Sequence, residues 1–330
     1  MSNCNNLLNI FDNNILKTVL NGDYNSFVIE LRQKIECTLD IRIVTCKSID
    51  KNITQNSNFI INDGLKNYFV KVYVSGFAEE RIFEAKVLEK LRDEGCLFVI
   101  KLITETPLIV NGIPVMIFEA INGIKYSYQQ FSSKELKSIA TKIAQMHNTL
   151  RFFNPGEKNR FPLLGFDFIS EFNLTMKDHL IIKGIQLLKE LYGKVNIKQL
   201  VPTIIHDDFS PHNIMKTKDG IINFIDFDDA HSSYRISDIG TAIKEFLIHP
   251  MMKVDDKSIA IFIKNYESVK GTPKITKQER QLIMPMVLRR ALFMYAYYKK
   301  LEGERGFMTQ SNDEYRVISK ILEGNVQSYE

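Results

Sequence analysis

Two short stretches of this 330-residue chain concentrate the side chains able to do chemistry. The first is Ile205-His206-Asp207-Asp208-Phe209-Ser210-Pro211-His212-Asn213-Ile214-Met215. The second follows a Lys-Asp-Gly turn and reads Ile222-Asn223-Phe224-Ile225-Asp226-Phe227-Asp228-Asp229-Ala230. Asp208 and Asn213 stand five apart on a loop between short strands, and Asp226 closes an apolar strand eighteen residues after Asp208. A hydrophobic strand aims its terminal carboxylate reproducibly. An Asn and an Asp at neighbouring strand ends can share one hard cation, because Mg²⁺ takes oxygen ligands. A further carboxylate beside them can orient a nucleophilic hydroxyl. These are the parts of phosphoryl transfer, in which the protein positions the reactants and neutralises charge. Each residue alone is equally at home in an Asx turn. Order and spacing together make the pattern specific.

His206-x-Asp208-x-x-Pro211-x-Asn213, followed by Ile225-Asp226-Phe227-Asp228-Asp229-Ala230, resembles the signature of the aminoglycoside phosphotransferase/choline kinase-like family. The resemblance implies an ATP-dependent, Mg²⁺-using small-molecule kinase with a protein-kinase-like fold. It implies Asp208 as catalytic base, Asn213 and Asp226 as magnesium ligands, and His206 as a support of the loop. It also implies that Asp238, in Ser237-Asp238-Ile239-Gly240, ties that loop to the following helix. The order of elements matches over roughly residues 40–300 and leaves the first 40 unexplained.

A kinase also needs a strand lysine for the α- and β-phosphates and a helix glutamate to hold it. Phe69-Val70-Lys71-Val72-Tyr73 is an apolar strand with one lysine, which shares a face with Phe69 and Tyr73. On the next helix Glu84 stands three, four and seven residues before Val87, Leu88 and Leu91, on the apolar face. A charge there is costly unless paired. The expectation is therefore a Lys71–Glu84 ion pair facing the interlobe cleft, with Glu80 as the competitor one turn earlier. The turn Asp50–Asn58 has no glycine. That departs from the Gly-rich loop of protein kinases but suits the resembled family, and backbone N–H groups at Gln55, Asn56 and Ser57 become the phosphate contacts. Phe118–Gly123 fits an interlobe hinge where adenine would bond backbone groups between Glu119 and Ile121. No P-loop is present.

The elements that must position these residues change character along the chain. Residues 1–25 are Asn-rich and read as a loosely docked leader, and Phe27–Leu39 as an amphipathic helix. Ile41–Ile49, Asn58–Ile61 and Tyr68–Val74 read as antiparallel strands. Glu79–Glu94 reads as a helix stopped by Gly95. Val99–Glu105 and Val115–Ala120 read as two strands joined by an Asn111-Gly112 turn. Beyond residue 120 the pattern is helical: Ser133–Leu150, Glu171–Tyr192, Ser237–Ile248, Asp256–Val269 and Thr276–Leu301, the last with Pro285 as a possible kink. Only residues 203–230 interrupt it, with three short strands at Thr203–His206, Ile214–Lys216 and Ile222–Ile225. The predicted class is α+β and bilobal, with a small antiparallel-sheet N-lobe and a larger, mainly helical C-lobe. The predicted divisions are 1–40, 41–120 (nucleotide-binding) and 121–330 (catalytic and acceptor-binding).

Composition narrows the function classes. The chain is 45% hydrophobic and 25% charged, which excludes a disordered chain or a fibre. Lys+Arg 43 against Asp+Glu 39 gives only +4, without a basic run, so no nucleic-acid partner is expected. No segment reaches the roughly 18 uncharged apolar residues of a membrane span, and no membrane partner is expected. Cys4, Cys37, Cys46 and Cys96 form no C-x-x-C pair, and with the absence of a signal peptide they place the chain in the cytoplasm. A monomer or homodimer acting on a small molecule is expected. Two other readings stay open: a kinase-like bacterial protein acting on Ser/Thr of proteins, and a non-catalytic nucleotide-binding protein of the same fold. The acceptor is expected on residues 151–200 and 255–305. Its candidate contacts are the acids Asp178, Asp228, Asp229, Glu171 and Glu267, the pairs Arg289-Arg290 and Lys299-Lys300 for an anion, and Tyr295, Tyr297 and Tyr298 for a quaternary amine. Tyr234-Arg235-x-Ser237-Asp238-Ile239-Gly240 is similar to choline kinases. Aminoglycosides, amino alcohols such as choline, sugars and homoserine-like compounds are the acceptor classes in view.

Overall fold

Alternating β-branched and aromatic residues in the first third of the chain build one antiparallel sheet. The computed structural model describes residues 20, 23–49, 56–74, 78–126, 131–156, 158, 165, 178–248, 256–305 and 308–323. The chain divides into two compact units, Met1–Asn122 and Gly123–Glu330.

In the first unit, β1 (Thr45–Ser48), β2 (Ser57–Asn62), β3 (Asn67–Val72), β4 (Leu108–Val110) and β5 (Ile113–Glu119) form a sheet in the order β1-β2-β3-β5-β4. Helix α1 (Tyr24–Leu39) presents Phe27, Val28, Leu31 and Ile35 to it. These residues share one core with Phe59, Ile61, Val70, Val72, Val115 and Ile117. Strand residues alternate faces, so Lys71 and its register partner Met116 project from the opposite face. Helix α2 (Ala78–Asp93) ends at Gly95, which takes φ +80°. That left-handed conformation is cheap only without a side chain.

One predicted strand is corrected. Val99–Glu105 forms no strand; Leu102 bridges to Phe118 of β5, flanked by the Ile103 N–H to Ile117 O and Glu119 N–H to Lys101 O bonds. The reason is competition for an edge. The Asn111-Gly112 turn instead folds Leu108–Val110 back onto β5, which takes the first half of that edge. Ser57 also belongs to β2 rather than to the preceding turn, opposite Val72, while Asn58 stands in β2 as expected.

The second unit is mainly helical, as expected: α3 (Ser133–Leu150), α4 (His179–Tyr192), α5 (Arg235–Ile243), α6 (Asp256–Glu267), α7 (Lys277–Arg305) and α8 (Met308–Glu323). Ser132 and Glu135 make a reciprocal capping box that starts α3. Residues 171–177 of the predicted Glu171–Tyr192 helix lie outside the described residues. Helix α5 begins two residues earlier than predicted and runs into a π turn, Lys244–Ile248. Helix α7 continues through Pro285. Helix α8 was not anticipated. The strands β6 (Gly123–Lys125), β7 (Pro202–Ile205), β8 (Ile214–Thr217), β9 (Ile222–Phe224) and β10 (His231–Tyr234) make a three-stranded sheet β6-β8-β9 and a pair β10-β7; β6 and β10 are additions to the predicted set.

Gly240 is where α5 and α7 approach. A Cβ there would stand 2.3 Å from Met286 Cβ and 3.1 Å from its carbonyl carbon. Gly240→Ala should therefore part the two helices and cost about 1–3 kcal/mol, the usual range for overpacking. A urea unfolding midpoint unchanged from wild type would disprove this close approach.

Candidate active site

The loop after β7 is held by one buried carboxylate. Asp238 on α5 accepts the His206 N–H at Oδ2 and the Asp207 N–H at Oδ1, each at 2.8 Å. His147 on α3 donates from Nε2 to the same Oδ2 at 2.9 Å, and its Nδ1 accepts the Tyr266 hydroxyl at 2.8 Å. Two helices thus anchor the loop through Asp238, which is fully buried. His206 adds a second tie: Nε2 donates to the Ile225 carbonyl at 3.0 Å, which leaves Nδ1 to accept the Asp208 N–H at 3.3 Å. Its ring stacks on Phe209 at 4.5 Å and meets Phe227 at 4.6 Å. Asp207 and Asp226 both take positive φ, 62° and 68°. Such backbone is held only where the surroundings over-determine it.

The two neighbouring aspartates separate. Asp207 accepts from Ser237 Oγ at 3.4 Å. Asp208 turns the other way, where Asn213 Nδ2 donates to its Oδ2 at 2.6 Å and to its backbone carbonyl at 3.0 Å. With Nδ2 so committed, Asn213 Oδ1 is the amide atom left to accept or to ligate. The Asn213 carbonyl accepts the Ile225 N–H at 3.0 Å, so the ladder brings Asn213 beside the residue that precedes Asp226. An Asn oxygen and an Asp carboxylate at adjoining strand ends suit a hard cation. Mg²⁺ keeps several waters and needs only one or two protein carboxylates. Among the described residues no cluster of three or more His, Cys, Asp or Glu is gathered for a metal, and an Asn–Asp pair does not require one.

Desolvation by the surrounding protein pushes the Asp208 carboxyl above the ordinary aspartate range, although 31% of the side chain stays exposed; Arg290 opposes the shift and Asp229 and Asp226 add to it. Arg290 was missed as a partner of this loop. The sequence suggested Arg289-Arg290 for a bound anion, but Arg290 Nη2 donates to Asp208 Oδ1 at 2.5 Å and Nε to Glu245 Oε1 at 3.2 Å. The available signal was the one used for Glu84: charges set in an apolar run, here Lys244-Glu245 within Ala242–Ile248. Lys244 donates to Glu245 at 3.2 Å and to Glu314 on α8 at 2.6 Å, and all three are buried. Burial raises the Glu314 carboxyl to about 7, against Lys244, while Lys244 and Arg290 hold Glu245 low despite its burial. An unfolded glutamate titrates near 4.3. The folded chain therefore keeps a proton on Glu314 that the unfolded chain has lost, and stability from this group falls as pH rises from about 4.5 to about 7. Glu314→Gln should remove that decline, so wild type should lose ground to the variant between urea titrations at pH 5 and pH 8.

In the first unit, Lys71 and Glu84 are both buried. Lys71 Nζ stands 5.1 Å from the Tyr73 ring centroid, and the Tyr73 hydroxyl donates to Glu84 at 3.2 Å. Glu84 also pairs with Arg81 at 3.1 Å, and Arg81 reaches Glu80 at 2.8 Å and lies 4.3 Å over the Tyr73 ring. Arg81 was not foreseen; it lies one turn from Glu84 on the same buried face. Gln55 lies outside the described residues, Asn56 precedes β2, and Ser57 opens it. The backbone N–H groups of Glu119 and Ala120 are engaged by Lys101 and Asn67, and the Glu119 side chain is exposed beside Lys101. Among the proposed acceptor contacts, Asp178 caps α4, Glu267 pairs with Arg280 at 2.7 Å, Lys299 pairs with Glu302 at 2.6 Å, and the Tyr295 ring lies 6.1 Å from that of Tyr315. Glu171 lies outside the described residues.

Solved structures share this architecture. Choline kinase from Streptococcus pneumoniae aligns at a TM-score of 0.64 and 17% identity, over 89% of this chain and 99% of its own. A microcompartment-associated aminopropanol kinase aligns at 0.66 and 15%, over 88% and 98%. Amicoumacin kinase, in complex with AMP-PNP, Ca²⁺ and Ami, aligns at 0.66 and 14%, over 90% and 96%. At these identities the likeness is one of fold. A comparison with curated protein sequences finds no match. The phosphotransferase enzyme family matches residues 46–271, more than half the chain and inclusive of both chemical stretches. The chain belongs to the phosphotransferase enzyme family.

Proposed function

We propose that this phosphotransferase moves the γ-phosphate of ATP to the hydroxyl of a small acceptor. One observation carries the reading. A single loop, pinned through Asp238, holds the Asp208 carboxylate and the Asn213 amide in direct contact and sets Asn213 against Ile225. Asp208 keeps lone pairs beyond those used by Asn213 and Arg290, since a carboxylate accepts at about four sites. It takes the proton of the acceptor hydroxyl late in transfer. Asn213 Oδ1 and Asp226 would hold Mg²⁺. That ion, when bound, neutralises charge on the transferring phosphoryl group. Lys71 binds the α- and β-phosphates, with Glu84 fixing it and Arg81 sharing Glu84. Asn56, Ser57 and Gln55 supply phosphate contacts. At the adenine, Ile121 becomes the backbone donor, because the N–H groups of Glu119 and Ala120 are engaged.

The acceptor is a small alcohol: an amino alcohol, aminoglycoside, sugar or homoserine-like compound. Choline kinase and aminopropanol kinase of the same fold support the first of these, and the AMP-PNP and Ca²⁺ bound by amicoumacin kinase support nucleotide with a divalent cation. No described helix is long and apolar enough to cross a membrane. Cys37, Cys46 and Cys96 are free thiols, in keeping with a cytoplasmic chain. The test is a thermal-shift screen with Mg²⁺ and AMP-PNP plus each acceptor class, since a ligand that binds only the folded state raises its melting temperature. ATP consumption with the hits follows. Lys71→Ala should raise the KM for ATP without unfolding the chain. A protein whose melting is indifferent to Mg²⁺–AMP-PNP, and which consumes no ATP with any acceptor, contradicts the reading.

A further inference from the structure

The contacts of Asp208 extend to a part of the chain the family signature does not include. Arg290 belongs to α7, 82 residues from Asp208 in sequence. Its guanidinium uses three donors across the loop: Nη2 to Asp208 Oδ1 at 2.5 Å, Nη1 to the Asp207 carbonyl at 3.5 Å, and Nε to Glu245 Oε1 at 3.2 Å. Glu245 is held by Lys244, and Lys244 by Glu314 on α8. Signs alternate along the row from Asp208 through Arg290 and Glu245 to Lys244, which ends on the Glu314 carboxyl. Only its first member is appreciably exposed, at 31% for the Asp208 side chain against 11% for Arg290 and 1% for Glu245.

A buried ion-pair row is a weak source of stability, because hydrophobic side chains of similar volume do as well or better. What hydrophobic residues cannot do is fix a carboxylate. Asp208 pivots about χ1 and χ2, and Asn213 restrains only Oδ2. Arg290 restrains Oδ1 and, through the Asp207 carbonyl, the left-handed backbone that precedes it. A lysine ammonium would keep the charge but lose the planar fork that spans both.

We propose that Arg290 is a positioning residue for phosphoryl transfer, seated by Glu245, and that it fixes the orientation of the Asp208 carboxylate from the helical side opposite Asn213. The inference rests on the reading of Asp208 as base. A base misplaced by about 1 Å loses roughly 10²-fold in rate. The nucleotide contacts lie on other residues, so the KM for ATP should not move.

The test is steady-state turnover of MgATP with the best acceptor of the screen, or with water where none is found. Arg290→Lys, Glu245→Gln, Arg290→Ala and Asp208→Asn are compared with wild type. Arg290→Lys should lower kcat by about 10–100-fold, with the KM for ATP and the melting temperature near wild type. Glu245→Gln should lower kcat less, in the same direction. Arg290→Ala should regain part of its kcat on addition of guanidinium ion, which a structural role would not produce. Normal kcat in Arg290→Lys overturns the proposal. So does a kcat loss that tracks unfolding and is indifferent to guanidinium. If Arg290→Lys does not fold, Glu245→Gln decides alone: normal kcat overturns, and lowered kcat at constant KM supports. Wild-type turnover insensitive to Asp208→Asn defeats the base assignment itself, and the role of Arg290 falls with it.

Discussion

Asp208→Asn is expected to cut turnover by about 10²–10⁴, the usual contribution of a positioned general base, while leaving nucleotide binding and the fold in place. Asparagine has the shape of aspartate but only one acceptor oxygen. Asn213 Nδ2 and Arg290 Nη2 each donate to a different oxygen of Asp208. In the variant one of those donors faces an amide NH₂, so the loop loses one contact as well as its base. Asp207→Asn is the control. The Asp207 carboxylate faces Ser237 and its backbone is already left-handed, a conformation asparagine tolerates. It should cost far less. The measurement is ATP consumption alongside AMP-PNP affinity. Full activity in Asp208→Asn removes the mechanism, and selective loss in Asp207→Asn transfers the role to the other carboxylate.

The largest stability effect is expected at Glu279. Its carboxylate pairs with Arg235 in a fork, Nε to Oε1 at 2.8 Å and Nη2 to Oε2 at 2.6 Å, and both side chains are buried. Glu279 also closes a capping box at the start of α7: Oε2 accepts the Thr276 N–H at 2.9 Å, and Thr276 Oγ1 accepts the Glu279 N–H at 3.1 Å. Glu279→Ala leaves a buried guanidinium without its carboxylate partner, facing the carbonyls of Pro273 and Lys274 and, at 5.9 Å, the Tyr266 ring. Removing one partner of a buried pair costs about 3–5 kcal/mol. Because the guanidinium charge is the source of that cost, Arg235→Met with Glu279→Leu should recover most of it. Equilibrium urea unfolding measures both. A single variant within 1 kcal/mol of wild type, or a double variant no better than the single, contradicts the charge argument.

Much of the site was legible because its signals are local. The Asp208–Asn213 spacing lies within one loop and was read with its partner strand ending near Asp226. Glu84 was placed on the buried face of its helix by its distance from Val87, Leu88 and Leu91, and it is buried. Ser133–Leu150 matched residue for residue because its start is a capping box written into Ser132 and Glu135.

What failed depended on segments distant in sequence. Val99–Glu105 has strand-like composition, but whether it pairs was decided by the Leu108–Val110 hairpin on the same edge of β5. The helix before the first strand was legible as amphipathic, yet nothing in its pattern names the sheet face it covers. The anchoring of the site went furthest beyond the sequence. Asp208, Glu245, Arg290 and Glu314 come from a loop, a π turn and two helices, and no spacing rule links them. The sequence by itself determined the class of fold and the candidate residues that one loop gathers, since turns, caps and periodicity act over a few residues. Only the tertiary structure decided which distant charges meet that loop, because a buried charge takes whatever partner the packing of α7 and α8 brings to it.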